Sequence, residues 1–309
     1  MSRLHTAVDE YLALRRSLGF LLEDYDQRLH GFVTFIERRG SVITTSLAMS
    51  WIMTHRDRTT TSLVNLLCEI RGFARYWSAS DPRTQVPPGQ LMRSGHRRRA
   101  PFLYTDEDIQ RLMMAAATTR YAGHLWPNTL ATIIGLLATT GMRVGEILAL
   151  DDDDVDWEDQ VLTVRRAKFG KSRLVPVHES TIAALASYLR HRNSEVPSTS
   201  TSPLFPSLNG LRLRNSTVYQ SFRRLLAVVG LRDKKAHRGP RLHDLRHRFA
   251  INTLVRAYRT AQTTERRMYF LSTYLGHVDT DSTYWYLSAV PELMAEARKR
   301  LERSVRRRH

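Results

Sequence analysis

The sequence predicts a mainly α-helical protein with one small β-hairpin, divided into an N-terminal helical bundle and a larger α+β domain. Three observations point that way. Apolar residues recur at three- and four-residue intervals along most of the 309 residues, the pattern of amphipathic helices. One stretch, around Lys168-Phe169-Gly170-Lys171, reads instead as two short strands about a turn. The run at 79–101, ASDPRTQVPPGQLMRSGHRRRAP, gathers Pro82, Pro87, Pro88, Gly89 and Gly95, which break regular structure and mark a linker. A chain of this length is long for one core and comfortable for two. The expected organisation is a helical domain over 1–80, a basic linker over 81–101, a second domain over 102–290, and a C-terminal helix with a basic tail over 291–309.

The first helix is expected over about Leu4–Leu18, with Val8, Tyr11, Leu12 and Leu18 near one face. The second runs from Tyr25 to Arg38 with Leu29, Phe32, Phe35 and Ile36 at helical spacing. Thr45 is a plausible N-cap for a third, which carries Leu47, Trp51 and Ile52. A fourth starts near Thr61 and places Leu63, Leu66, Leu67, Ile70, Phe73, Ala74 and Trp77 on one stripe. Cys68 sits in the apolar run Leu66-Leu67-Cys68 and reads as core. Beyond the linker, Thr105 caps a helix whose first turn is acidic. An apolar helix over 128–139 is interrupted by Thr140-Gly141, and a short helix follows from Met142 to Leu150. Asp151–Asp154 with Trp157 form a turn, and strands at Val161–Arg165 and Arg173–Val177 flank the hairpin tip. Helices are expected at about 179–192, 216–229 and 243–256. The last elements are Leu271–Gly276, a helix around Ser282–Leu287 and a tail helix from Pro291 to Arg303.

The charge balance narrows the partners. Forty-seven Lys and Arg against 30 Asp and Glu give a net charge of +17. Such an excess favours a polyanion, because neutralising phosphates releases condensed counterions. No apolar run approaches the roughly 20 residues of a spanning helix, and MSRLHTAVDEY contains no signal-peptide apolar stretch. The single cysteine cannot form an internal disulfide or a thiolate zinc cluster, which fits a reducing cytoplasm.

Four segments carry chemistry. Thr140-Gly141-Met142-Arg143-Val144-Gly145-Glu146 places Arg143 and Glu146 three apart on one helical face. His243, Arg246 and His247 share a face at i, i+3 and i+4. Zinc would need a Glu directly after the first His, where Asp244 stands, and Arg246 would repel a dication. An anion site fits better, with a planar guanidinium fork for phosphate oxygens and a histidine for proton transfer. Leu275-Gly276-His277 followed by Thr283-Tyr284-Trp285-Tyr286 is the third segment, and Lys168 and Lys171 at the hairpin tip are the fourth. Metal-free phosphodiester cleavage needs a nucleophile, cations for the equatorial oxygens and an acid for the leaving oxygen. Two arginines, a lysine, two histidines and a tyrosine make up that set.

Taken in order, these residues resemble the tyrosine recombinases, or phage integrases. That family's motif is an arginine after Thr-Gly, a hairpin lysine, a His-x-x-Arg helix, a Leu-Gly-His segment and a tyrosine about nine residues later. Arg143, with Glu146 at the family's acidic position, then Lys168, His243, Arg246, His277 and Tyr286 match it in sequence. Lys168 matches the lysine better than Lys171. The resemblance covers about 102–290, whereas the N-terminal bundle is similar to the family's core-binding domain only in size, helicity and position. Two features depart from it. Arg246 and His277 are 31 residues apart, longer than in compact members, with the extra length placed in Tyr258–Arg267. Tyr284 also lies close to Tyr286 and remains a rival nucleophile.

The resemblance implies a two-domain clamp on double-stranded DNA, acting as a homotetramer on two sites, alone or with related recombinases. It implies that Tyr286 attacks the scissile phosphate, that Arg143, Arg246 and His277 hold its oxygens, and that Lys168 protonates the leaving 5′-hydroxyl. His243 would assist proton transfer, and Glu146 and Asp244 would orient their neighbours. Lys171, Arg97, Arg98 and Arg99 are expected on DNA. No metal, nucleotide or other cofactor is implied, and the place of action is the bacterial cytoplasm at the nucleoid. Leu293, Ala297 and Leu301 form a stripe that would dock on a neighbouring protomer or pack on its own domain. Tyr11–Phe20 is similar to the starts of transposon-borne members. The competing readings are a type IB topoisomerase, a non-catalytic DNA-binding regulator and a zinc hydrolase.

Overall fold

The computed structural model describes residues 2–20, 22, 24–92, 100–118, 128–165, 172–195, 202–233, 239–259, 264–276 and 298. Lys168, Lys171, His277, Tyr284, Tyr286, Arg97, Arg98, Arg99 and the tail stripe Leu293, Ala297 and Leu301 lie outside the described residues. The chain divides into two compact units, residues 1–99 and 100–309.

The first unit is built from four helices, α1 (Arg3–Ser17), α2 (Tyr25–Glu37), α3 (Thr45–Met53) and α4 (Thr60–Trp77). Ser2, Thr44 and Thr59 cap α1, α3 and α4, each side-chain oxygen accepting a backbone N–H three residues on. The caps of α3 and α4 thus lie one and two residues before the threonines expected to begin those helices. Val8, Leu12, Leu29, Phe32, Ile36, Ile52, Leu67, Ile70 and Phe73 form the core. Two expectations fail. Leu18 is the C-cap of α1 and is 66% exposed. Cys68 is exposed as well. The buried stripe of α4 runs 63, 66, 67, 70, 73, 74 and 77, and a 3.6-residue period carries position 68 off it. Glu69 is buried instead, and Arg28 donates to it at 2.7 Å. Burial still holds the Glu69 carboxyl above its ordinary pKa despite that partner.

The second unit wraps helices around α6. Its elements are α5 (Asp106–Thr118), α6 (Thr129–Thr140), α7 (Val144–Ala149), a 3₁₀ turn (Asp152–Asp154), β1 (Val155–Asp156), β2 (Val161–Val164), β3 (Arg173–Pro176), α8 (Glu179–Glu195), α9 (Asn215–Val228), α10 (His243–Arg259) and α11 (Thr264–Leu275). Thr105 caps α5 as expected, with Asp108 answering as the second half of a capping box. The acids after α7 are taken up by arginines: Asp151 by Arg212, Asp152 by Arg192 and Asp154 by Arg165.

The sheet has the antiparallel order β1-β2-β3, one short strand more than the hairpin alone. Leu162 faces Val175, and Val164 faces Arg173. Arg173 and Val175 therefore share the inward face of β3.

Helix α6 buries Leu130, Ile133, Ile134, Leu136 and Leu137, so it is apolar on nearly every side. It packs against α5, α8 and α10, as such a helix must. Gly141 ends it at φ +61°, its N–H returning to Leu137 O. Thr140 Oγ1 accepts from Met142 N–H, so the Thr-Gly pair turns the chain within two residues. A Cβ on Gly141 would collide with the Phe249 ring of α10. Phe249 in turn stacks on Tyr274 of α11 at 5.6 Å. The α6–α7 junction, α10 and α11 are thereby packed through one glycine and two rings.

Gly141→Ala meets both the left-handed backbone and the Phe249 ring, and should cost about 3 kcal/mol in denaturant unfolding. Gly230 has φ +75° with nothing within 4 Å of an added Cβ, so Gly230→Ala should cost only about 1 kcal/mol. Equal losses at the two positions would remove Phe249 as the constraint.

Candidate active site

Arg143 is the N-cap of α7, with extended backbone. Its backbone N–H donates to Glu146 Oε2 at 2.9 Å and its Nη1 to Glu146 Oε1 at 2.8 Å. The spacing that reads as a solvated ion pair is thus a capping arrangement that sets the direction of the arginine side chain. Nη1 and Nη2 also reach the carbonyls of Leu275 and Gly276, at 3.5 and 3.1 Å. The Arg143 side chain keeps 31% of its surface exposed.

Arg246 lies one turn into α10 and is 1% exposed. Its Nη1 donates to Gly141 O at 2.7 Å and its Nη2 to Leu275 O at 2.6 Å. Arginines 103 positions apart in the chain therefore meet at one carbonyl oxygen, that of Leu275. The start of α10 is held by Asp244, 1% exposed, which accepts the backbone N–H of Arg241 at 2.8 Å and its Nη2 at 2.7 Å. That clasp sets the helical register of His243 and Arg246. Tyr104 adds a hydrogen bond to Arg241 O at 3.1 Å.

His243 and His247 meet edge to face at 4.7 Å. His243 keeps surface open to solvent, yet the packing around its ring, and then the Arg246 charge, push its pKa down to about 4. It is therefore neutral at pH 7 and has a lone pair to accept a proton. Among the described residues, no group of three or more His, Cys, Asp or Glu side chains is placed to hold a metal ion.

Arg173, which is not among the motif residues, completes the cluster. From β3 it donates to both Glu146 oxygens, at 3.0 and 2.7 Å. Burial alone would raise the Glu146 pKa, but hydrogen bonds from Arg173 and from the Arg143 backbone bring it down to about 2. The available signal was strand alternation, which puts Arg173 on the same inward face as Val175, where an arginine needs a partner. Arg143, Arg173, Arg241 and Arg246 thus stand against the two carboxylates Glu146 and Asp244. The four guanidiniums exceed the two carboxylates by two positive charges, and the Arg143 side chain keeps part of its surface open to solvent.

Both titrating groups of the cluster favour neutral over acidic solution. His243 is protonated more readily when unfolded, so stability falls as pH drops from its ordinary 6.5 toward about 4. The Glu146 contribution is fully present above its ordinary 4.5 and is lost as pH falls toward about 2. Urea midpoints followed against pH should show the lower step in the native protein and lose it in Glu146→Gln. Parallel curves for the two proteins would contradict the assignment.

The chain is similar to known proteins along most of its length. Residues 103–292 match the phage integrase family. The chain is 46% identical over 308 residues to the provisionally named integrase/recombinase y4rB of Sinorhizobium fredii, covering 98% of each chain. It is 28% identical to the tyrosine recombinase XerD of Rhizobium meliloti, over 91% of this chain and 88% of that one. Among solved structures, the integrase of transposon Tn1549 in complex with transposon right end DNA superposes with a TM-score of 0.65 at 16% identity, covering 96% of this chain and 98% of that one. A lambda integrase dimer bound to a core site gives a TM-score of 0.59 at 19% identity, over 92% of this chain and 76% of that one. A mostly helical fold with a three-stranded sheet, the ordered motif and a relative matched along nearly its whole length agree: the chain belongs to the phage integrase family, the tyrosine recombinases.

Proposed function

We propose that the chain is a site-specific DNA recombinase that cuts and rejoins strands through a 3′-phosphotyrosine bond. The observation that carries this reading is the meeting of Arg143 and Arg246 on Leu275 O. An anionic oxygen placed near that point would be held by two guanidiniums at once, which suits a phosphodiester passing through a pentacoordinate state. The Leu275-Gly276 segment directly precedes His277, and Tyr286 stands nine residues beyond it.

In the proposed reaction the Tyr286 oxygen attacks the scissile phosphorus and the bond to the 5′-oxygen breaks. The tyrosine proton passes to neutral His243, and Lys168 protonates the departing 5′-hydroxyl. Arg143 and Arg246 hold the non-bridging oxygens, and His277 donates a further hydrogen bond. Glu146 fixes Arg143, and Asp244 fixes the start of the helix that carries His243 and Arg246. One phosphoester bond replaces another, so a 5′-hydroxyl from a partner strand can reverse the step without an outside source of energy. On this reading residues 1–80 form the second half of a clamp on duplex DNA, and the linker 81–101 with Arg97, Arg98 and Arg99 lies along the backbone together with Lys171. Four protomers on two sites complete the exchange, at the bacterial nucleoid. No helix among the described residues is long and apolar enough to cross a membrane.

A duplex nicked so that the released strand diffuses away should trap a covalent protein–DNA adduct. Tyr286→Phe should abolish the adduct and leave duplex binding intact, while Tyr284→Phe should retain it; the reverse result reassigns the nucleophile. Lys168→Ala should slow cleavage of ordinary DNA but spare a substrate with a 5′-thiol leaving group, which needs no acid. Equal loss on both substrates would remove Lys168 from that role. Supercoil relaxation without exchange between two sites would mark a topoisomerase instead.

A further inference from the structure

Arg173 has no part in the reaction described above, yet it is built into the cluster that performs it. Its side chain is 14% exposed and forks onto both oxygens of Glu146, while Arg143 reaches that carboxylate through one side-chain N–H and its own backbone. Two guanidiniums therefore divide one carboxylate. The turn after α11 closes over the same group: a Cβ at Gly276 would meet Arg173 Nη1 at 3.2 Å and Arg143 Nη1 at 3.7 Å. Arg173 also begins β3, paired to Val164 of β2, and so stands where the chain re-enters the sheet after the segment whose sequence contains Lys168.

A carboxylate with both oxygens open binds an arginine by two parallel hydrogen bonds, in which the charges largely cancel. If Glu146 were left to Arg143 alone, it could take that guanidinium in a fork–fork pair. Arg143 would then be turned from the carbonyls of Leu275 and Gly276 and would present less charge to an incoming anion. Occupation of both Glu146 oxygens by Arg173 leaves Arg143 with a single side-chain contact to the acid and its Nη2 directed at Gly276 O.

We propose that Arg173 is a positioning residue for phosphate cleavage: by engaging Glu146 it keeps the Arg143 guanidinium aimed at the scissile phosphate with its charge available, and it ties the start of β3 to α7. The inference rests on the reading of Arg143 as a phosphate ligand.

The test compares single-turnover cleavage of two nicked duplexes by the full-length protein, one with an ordinary scissile phosphate and one with a methylphosphonate there. Replacing a charged oxygen by methyl lowers the demand for cationic charge. Arg173→Gln should bind both duplexes as the native protein does, because binding is spread over many phosphates. It should cleave the phosphate duplex about tenfold or more slowly and lose much less on the methylphosphonate. Arg173→Lys, which keeps the charge without the fork, should fall between them on the phosphate duplex, and it bears the same comparison if the glutamine variant does not fold. A native rate on the phosphate duplex, or equal slowing on both duplexes, overturns the proposal and leaves Arg173 a structural ion pair. If the native protein forms no adduct on either duplex, the recombinase reading fails, and the proposal fails with it.

Discussion

The buried guanidinium of Arg246 is the constraint on which the catalytic unit depends. Taking a full positive charge out of water costs several kcal/mol unless its donors are met. Arg246 meets the requirement at two main-chain oxygens, Gly141 O and Leu275 O. To supply them, the turn after α6 and the last turn of α11 must both come to α10. Gly141 allows the first approach because Phe249 leaves no space for a Cβ. The stacking of Phe249 on Tyr274 secures the second. Dipoles satisfy the hydrogen bonds of a guanidinium without cancelling its charge, so the field persists for an anion to complete.

Helix ends do most of the positioning. Arg143 begins α7 in a capping arrangement with Glu146, and Asp244 holds the start of α10. The side chains that would touch a phosphate therefore project from points where the backbone direction is already set by short-range bonds. This arrangement is stiff for the same reason that caps stabilise helices, since orphan N–H groups are satisfied within three residues. It also explains why acids three residues beyond an arginine recur here as internal parts of the site, at 143/146 and 241/244.

How much of this was legible depended on the range of the interaction. The stripe of α4, the Thr105 cap and the Arg143–Glu146 pair are local, and periodicity or spacing exposes them. Cys68 shows the limit of reading an apolar run as core without its period. The two-residue β1 escaped because it has no pattern of its own and exists only through pairing with Val161 and Leu162. Arg173 escaped for the opposite reason: its alternation was visible, but its partner lies 27 residues earlier on another element. The carbonyl acceptors of Arg143 and Arg246 cannot be read from side-chain identity at all, because any residue supplies a carbonyl. The roles of His277 and Tyr286 rest on motif spacing, since both lie outside the described residues.

The grip on α11 is at its C-terminal end, where Leu275 and Gly276 accept from Arg143 and Arg246. Its other end, at Thr264, follows Arg259 of α10 after only four intervening positions. The place of α11 against the cationic cluster is thus set at its far end, downstream of that join. Residues can be inserted or removed upstream of the anchor at the small entropic cost of a changed loop, while the segment that leads to His277 keeps its place. The 31-residue interval from Arg246 to His277 is then accommodated ahead of the anchor, by a change in the connection between α10 and α11 rather than in the grip on Leu275 and Gly276.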